Sequence, residues 1–270
     1  MALTAFQQDI CRLLAPTRLE RESYVAGGAA LNTLLEAPRR SRDVDLFHDT
    51  AQAVGRTVDQ DIQLLRGAGY RVHIVRQAPT FAEAAVEKDG KSSLMQWVQD
   101  SAFRFFPLIE NPELGLTLHP FDLATNKTLA MAGRLEPRDW IDLMTCHRQV
   151  QPLGFLVWAA CGKDPGFSPT SLLQEIRRAS RYSQSELDIL HFNGATPDAA
   201  QLGAQWHDML RQAQAICDLL PADKAGMCVC RGREELCTAS SDELPDALAK
   251  RKLWFHSGSI GGAWPRFPAG

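Results

Sequence analysis

The segment from residue 24 to residue 47 limits most strongly what this chain can fold into. It begins with a short apolar run that ends at the pair Gly27-Gly28, and a segment rich in Ala and Leu follows. After a basic turn, RRSR, the chain continues with DVDLF over residues 43–47. Side chains two residues apart share one face of a strand, so Asp43 and Asp45 point to one side and the apolar residues to the other. The pattern predicts a strand, a glycine turn, a helix and a second strand that presents two carboxylates.

This carboxylate pair and the glycine turn predict a common chemistry. Two carboxylates on one strand face repel each other unless a cation lies between them, and a divalent cation such as Mg²⁺ or Mn²⁺ is the usual solution. Glycines between a strand and a helix N-terminus let the backbone approach a phosphate. Together they favour phosphoryl transfer from a nucleoside triphosphate, with Asp43 and Asp45 as metal ligands. The structural alternative is a tight turn followed by an edge strand with two solvated aspartates.

Composition limits the class of protein. The chain has 270 residues and a net charge of -3, which argues against coating nucleic acid by bulk charge but leaves room for a local basic groove. No apolar run approaches the ~20 residues of a membrane span, and the N-terminal residues lack the pattern of a signal peptide. We therefore expect a cytoplasmic protein that does not engage a membrane. The seven cysteines are expected to be reduced thiols, and those at 228, 230 and 237 fit a small hairpin better than a zinc site.

Periodicity predicts an α/β fold of the α+β kind. Alternating runs at 70–75, 81–87, 92–98 and 116–119 predict strands of a mixed sheet, and helices are expected at 3–14, 50–66 and 120–133. We place this core in residues 1–150. Residues 151–270 are expected to be mainly helical, with one amphipathic helix over 171–190, and to end in a small β-hairpin and a tail.

A charged cluster interrupts the apolar stretch between residues 120 and 145. Lys127 and Arg134 are two helical turns apart, and Arg138, Asp139 and Asp142 open the next helix. One interpretation is a salt-bridge cluster that joins the two helices. The other is that Lys127 faces nucleotide phosphates while an aspartate orients it, and both can hold at once.

A third carboxylate on a neighbouring strand would complete many phosphoryl-transfer sites. The strand at 92–98 has Gln96 where we expect that acid, and an amide cannot act as a base. Asp100 lies beyond the strand end, where a surface or capping role is an equal alternative. The third carboxylate stays unassigned.

Both blocks of sequence resemble one family. The glycine pair followed by S-x-D-x-D, and later NKTLAMAGRLEPRDWIDL, look like the nucleotidyltransferases of the AbiEii toxin type, within the polymerase-β-like superfamily. The superfamily usually has Gly-Ser where this chain has Gly27-Gly28. The resemblance covers roughly residues 20–150 and implies a minimal nucleotidyltransferase sheet flanked by helices.

The resemblance also implies a role for each matching residue. Asp43 and Asp45 would bind metal and nucleotide, and Lys127 would neutralise phosphate charge. Further catalytic and nucleotide-binding positions complete the implied site: Gly27, Gly28, Ser41, Arg42, Arg138, Asp139 and Asp142. Asp139 and Asp142 are the lower-ranked catalytic candidates.

The predicted reaction moves an NMP from an NTP to an acceptor hydroxyl. The resemblance implies an RNA acceptor, in some members the 3′ end of tRNA, and a cognate antitoxin. Two alternatives remain open at this stage: a small-molecule nucleotidyltransferase of the aminoglycoside-modifying kind, and a catalytically silent nucleotide-binding protein. The second alternative is retained because Gln96 stands where an acid is expected.

Overall fold

The computed structural model describes residues 3–18, 21–178, 181–232 and 235–263. The chain forms two compact units, the first from residues 1–102 and 107–119 and the second from residues 103–106 and 120–270. Both helices of the charged cluster, which begin at Pro120 and Pro137, belong to the second unit. The functional division at residue 150 stays a prediction. The predicted tail begins at Gly261, and its residues from 264 onward lie outside the described residues.

A mixed seven-stranded sheet forms the centre of the first unit. The strands seen in the described residues are β1 (Ser23–Ala26), β2 (Asp43–His48), β3 (Arg71–Ala78), β4 (Phe81–Lys88), β5 (Lys91–Gln99), β6 (Phe103–Arg104), β7 (Ile109–Asn111), β8 (Gly115–Thr117), β9 (Cys228–Arg231), β10 (Glu235–Leu236), β11 (Leu253–His256) and β12 (Ser259–Ile260). The strands of the central sheet lie in the order β3-β4-β5-β2-β1-β8-β7. β2 pairs antiparallel with β1 and parallel with β5. This sheet with its flanking helices confirms the predicted α/β fold.

Ten α-helices are seen in the described residues, three of them in the first unit. They are α1 (Ala5–Leu14), α2 (Gly27–Leu34), α3 (Ala51–Gly67), α4 (Pro120–Arg134), α5 (Pro137–Gln149), α6 (Leu153–Ala160), α7 (Pro169–Arg177), α8 (Gln184–Asp188), α9 (Ala199–Leu219) and α10 (Leu244–Ala249). Thr50 caps α3 by accepting a hydrogen bond from Ala53 N at 3.1 Å, which is the cap that a hydroxyl at this position predicts.

Helices α1 and α3 pack on the same face of the first unit's sheet, because Gln7 of α1 bonds Ser93 and Asp61 of α3 bonds Trp97, two residues of one face of β5. The buried residues of β2 and β5, Val44, Leu46, Met95 and Trp97, alternate with half-exposed or exposed neighbours along each strand. Asp61 on α3 forms a buried ion pair and also joins this helix to β5. Asp61 accepts both ends of the Arg18 guanidinium, at 2.7 and 3.0 Å, and the Trp97 Nε1–H at 2.7 Å. The opposite face of β2, which carries the aspartates, is therefore the accessible one.

The second unit is mainly helical, as predicted. Every residue of α6 is buried, which its sequence LGFLVWAA favours, and α4 and α9 pack against it. The single helix expected at 171–190 is wrong: α7 ends at Arg177, and α8 begins after Ser183, which makes a capping box with Glu186. The predicted hairpin forms from β9 and β10, and β11 adds a third antiparallel strand beside β9.

The cysteines at positions 11, 146, 161, 217, 228, 230 and 237 are free thiols with buried side chains. None of the described helices has both the length and the apolar character of a membrane span.

Candidate active site

The turn from β1 into α2 brings Asp45 against the start of a helix. Gly27 has a φ of +63°, a left-handed conformation that glycine adopts without the steric cost of a Cβ. Ala26 is paired with Asp45 in the β1–β2 ladder, and a Cβ added to Gly27 would overlap Asp45 Oδ2. Only glycine therefore leaves room for the Asp45 carboxylate at the first turn of α2.

The first turn of α2 also offers groups that suit an anion. The N-cap residue Ala26 makes no side-chain capping hydrogen bond, and the first turn has no acidic residue, so the N–H groups and the dipole of α2 favour negative charge. A Cβ on Gly28 would lie 2.6 Å from Arg39 Nη2 and 3.3 Å from Ser41 Oγ. A guanidinium and a hydroxyl therefore lie over this turn, and both Arg39 and Ser41 are buried. The combination suits a phosphate.

Arg39 is a residue that sequence reasoning did not select. Ser41 and Arg42 were named as nucleotide-binding residues, but Arg42 is exposed while Arg39 is 5% exposed. A run of arginines carries no local signal of which one folds inward, and the close approach of Gly28 is the only pointer.

Asp43 and Asp45 are both half-exposed on one face of β2, while Val44 between them is buried. Ser41 Oγ donates a hydrogen bond of 3.2 Å to Asp43 Oδ1. Carboxylate oxygens are the ligands that Mg²⁺ prefers, and Mg²⁺ is commonly held by one or two carboxylates with substrate phosphates completing its shell. No group of three His, Cys, Asp or Glu side chains suited to a metal occurs in the described part of the chain. Two carboxylates beside a phosphate-type turn fit a cation of this kind.

The position expected for a third acid is occupied by an amide that has a carboxylate partner. Gln96 on β5 is the register partner of Asp45, and Gln96 Nε2 donates a hydrogen bond of 2.8 Å to Glu83 Oε1 on β4. Asp100 lies four residues beyond Gln96, roughly 13 Å along the strand direction. Its Oδ1 accepts the Ser101 N–H at 2.8 Å, which is a capping contact.

Lys127 lies in a buried ion cluster of the second unit. Its ammonium is 2.9 Å from Asp139 Oδ1 and 3.0 Å from Asp142 Oδ2, and both carboxylates have no exposed surface. Arg134 donates to both oxygens of Asp139, at 2.5 and 2.9 Å. The structure therefore contains the predicted salt-bridge cluster, and these ion pairs join α4 to α5. A contact between Lys127 and phosphate stays a prediction.

The charges of this cluster decide the ionisation of Asp139. Burial by itself would raise the pKa of this carboxyl, but the hydrogen bonds from Arg134 and the charge of Lys127 outweigh burial and lower the pKa to about 2. Asp139 is thus a carboxylate at neutral pH. It can accept hydrogen bonds and orient the Lys127 ammonium, but it is a weak base.

The turn between α4 and α5, which precedes Asp139, is held by Tyr182, a residue that lies just before α8 and contacts α5. Leu135 has a φ of +50°, and its carbonyl accepts the Tyr182 hydroxyl at 2.5 Å. Burial raises the pKa of Tyr182 to about 12, so this hydroxyl keeps its proton. The Trp140 ring packs on Tyr182.

Arg138, a predicted nucleotide-binding residue, is partly exposed, and its Nε lies 2.7 Å from Glu136 Oε2.

Taken together, the mixed sheet and the two-aspartate strand that follows a glycine turn define a fold of the nucleotidyltransferase type. The structure is similar to that of MenT4, a nucleotidyltransferase toxin from Mycobacterium tuberculosis H37Rv, with 16% identity and a TM-score of 0.50 over 81% of this chain and 84% of MenT4. JHP933 from Helicobacter pylori aligns with 15% identity and a TM-score of 0.46 over 80% of this chain and 94% of that protein. A tRNA-processing enzyme aligns with 18% identity and a TM-score of 0.31 over 78% of this chain and 58% of the enzyme.

No protein-family model and no curated protein matches this sequence. At 16% identity, the similarity to MenT4 establishes the fold.

Proposed function

We propose that this chain is a metal-dependent nucleotidyltransferase that moves an NMP from an NTP to an acceptor hydroxyl of RNA, with the 3′ end of tRNA as the first candidate. The observation that carries the proposal is the Asp45 carboxylate packed against Gly27 at the first turn of α2, within a nucleotidyltransferase fold. That arrangement supports the proposal because it brings the aspartates that we propose as metal ligands next to backbone N–H groups that suit a phosphate.

In the first unit, we propose that different residues bind the metal and the phosphates. Asp43 and Asp45 would hold Mg²⁺ or Mn²⁺, which when bound lowers the charge repulsion between the triphosphate and an attacking oxygen. The N–H groups at Gly27 and Gly28 would donate hydrogen bonds to phosphate oxygens, and Ser41 would orient Asp43 through its hydrogen bond. Arg42, which is exposed, would supply further positive charge to the triphosphate.

For the second unit we propose an orienting role. Asp139 and Asp142 hold the Lys127 ammonium in one place, and Lys127 would stabilise phosphate charge from there. Arg138 is partly exposed and is proposed as a further phosphate contact. These roles follow from the resemblance to the AbiEii-type enzymes.

The biological role that we propose is that of a toxin whose cognate antitoxin is encoded nearby. Its support is the pair of sequence blocks resembling AbiEii-type toxins, together with a fold similar to that of a nucleotidyltransferase toxin. Induced expression should then arrest growth, whereas expression of Asp45→Asn should not. Normal growth with the unaltered chain expressed at the same level would contradict the toxin role.

A transfer assay tests the activity. The protein is incubated with MgCl₂, total RNA and each of the four NTPs labelled at the α-phosphate. We expect label in RNA of tRNA size with at least one NTP, and none with Asp45→Asn. Label that appears instead on an added aminoglycoside would favour the small-molecule alternative.

One observation favours a second candidate, a nucleotide-binding protein without transfer activity. Gln96 stands where an acid is expected, and an amide cannot take a proton from the acceptor hydroxyl. Calorimetric titration with each NTP and Mg²⁺, read together with the transfer assay, distinguishes the two, since a silent protein binds an NTP but transfers nothing to any acceptor. Failure to bind any NTP would contradict both candidates.

A further inference from the structure

Three polar side chains form a row across adjacent strands of the sheet. Asp45 on β2 is the register partner of Gln96 on β5, and Gln96 is the register partner of Glu83 on β4. Side chains of directly opposite residues point to the same face of a sheet. Gln96 therefore lies between the metal-ligand candidate Asp45 and the carboxylate Glu83. All three residues are half-exposed.

The Glu83 carboxylate determines which way the Gln96 amide points. Gln96 Nε2 is 2.8 Å from Glu83 Oε1. An ionised carboxylate only accepts hydrogen bonds, so the NH₂ end of the amide must face it, and the reverse orientation would bring two acceptor oxygens together. The carbonyl oxygen of Gln96 is therefore turned away from Glu83, and the neighbour on the other side of the row is Asp45.

We propose that Gln96 replaces the third acidic side chain of this site as a neutral oxygen ligand for the divalent cation, and that Glu83 is the positioning residue that fixes its amide. This inference rests on the proposed function and names two residues that complete its metal site. Amide and carboxylate oxygens are both ligands of hard divalent cations. An amide oxygen turned towards a carboxylate repels it unless a cation or a hydrogen-bond donor lies between them, and a divalent cation would meet this need.

Glu83 acts through Gln96 and not as a ligand itself. Neighbouring strands lie ~4.8 Å apart, so Glu83, two strands from β2, is roughly 10 Å from Asp45 along the sheet. In the described residues no three acidic, His or Cys side chains form a metal-binding group, so Glu83 does not combine with the aspartate pair in this way. A group that orients a metal ligand by a hydrogen bond typically changes metal affinity ~10–100-fold when it is removed.

The experiment measures Mn²⁺ binding by electron paramagnetic resonance, without nucleotide and with a non-hydrolysable NTP analogue. The variants are Glu83→Gln, Gln96→Ala, the double variant and Asp45→Asn. Glu87→Gln is the matched control, because Glu87 lies on the same strand and face but pairs with the exposed Arg71 at 3.1 Å. Thermal melts show that each variant is folded.

We expect Glu83→Gln to weaken Mn²⁺ binding ~10-fold, because a second amide no longer imposes one orientation on Gln96. Gln96→Ala should weaken it at least as much. In the double variant, Glu83→Gln should add nothing to the effect of Gln96→Ala, since Glu83 acts only through Gln96. Glu87→Gln should bind Mn²⁺ as the unaltered chain does.

Two results would overturn the inference while leaving the proposed function in place. In the first, the unaltered chain binds Mn²⁺ and loses it in Asp45→Asn, but Glu83→Gln and Glu87→Gln bind alike. In the second, the effects of the two single variants add in full. If the unaltered chain binds neither Mn²⁺ nor the NTP analogue, the proposed function fails and the inference fails with it.

Discussion

At the scale of single residues, the site depends on a glycine that makes room for a carboxylate. Gly27 combines a left-handed φ with contact to Asp45 Oδ2, so any side chain there would have to displace the carboxylate or the start of α2. The sequence predicted this glycine turn because its signal is local: a strand, two glycines and a helix follow one another directly. The burial of Arg39 against Gly28 has no such local signal and became visible only in three dimensions.

Gly27→Ala tests this arrangement. We expect a loss of ~1–2 kcal/mol of unfolding free energy from the strained backbone. We also expect a loss of Mg²⁺-dependent NTP binding of at least tenfold, because the added methyl displaces Asp45. Urea unfolding and calorimetry give the two quantities.

Gly55→Ala is the control for this substitution. Gly55 lies on the exposed side of α3, where a Cβ would meet nothing within 4 Å. It should stabilise the protein by ~0.5–1 kcal/mol and leave NTP binding unchanged. Equal NTP affinities for the two variants would show that Gly27 does not shape the site.

At the scale of elements, the prediction from sequence succeeded where a pattern is carried by one strand or one helix. The alternation over residues 43–47 gave β2 and its two faces. It could not give the contact between Glu83 and Gln96, because that pair depends on the register of β4 against β5. The helix expected over 171–190 was split because the Ser183 capping box starts a new helix, and apolar periodicity outweighed that signal in the prediction.

The ion cluster between α4 and α5 makes Lys127 important for stability. Lys127→Met removes the cation shared by Asp139 and Asp142, both without exposed surface, and breaking a buried pair costs ~3–5 kcal/mol. Urea unfolding should show this loss. Lys250→Met is the control, since its pair with Asp246 is more than half exposed on both sides and its loss should change stability by less than ~1 kcal/mol. Unchanged stability in Lys127→Met would contradict a structural role for the cluster.

At the scale of the whole molecule, two buried groups contribute, in the same direction, to a loss of stability in acid. Burial and the nearby charge of Arg18 lower the pKa of His48 to about 4, and the pKa of Asp139 is lowered to about 2. The unfolded chain binds a proton on His48 near pH 6.5 and on Asp139 near pH 3.8. This defines two pH intervals, from 6.5 to about 4 for His48 and from 3.8 to about 2 for Asp139. In each interval the unfolded state binds more protons than the folded state, so the free energy of unfolding falls as the pH falls.

The first interval gives a specific prediction. The free energy of unfolding should decrease by about 3 kcal/mol as the pH falls from about 6.5 to about 4, because His48 stays neutral only in the folded protein. The Asp139 contribution is present above pH 3.8 and is lost between about pH 4 and pH 2. Urea unfolding at closely spaced pH values measures both. His48→Leu should flatten the first interval and leave the second, and an unchanged slope would show that another group titrates there.

Asp45 is proposed to hold the catalytic metal beside the α2 turn. The most direct test of this role is single-turnover transfer of labelled NMP to RNA by the unaltered chain, Asp45→Asn and Asp100→Asn, with thermal melts of all three. We predict that Asp45→Asn loses transfer at least ~1,000-fold with a melting temperature equal to or above that of the unaltered chain, since one of two like charges is gone. Asp100→Asn, which alters only a capping carboxylate, should retain transfer. Transfer by Asp45→Asn at the rate of the unaltered chain would contradict the account.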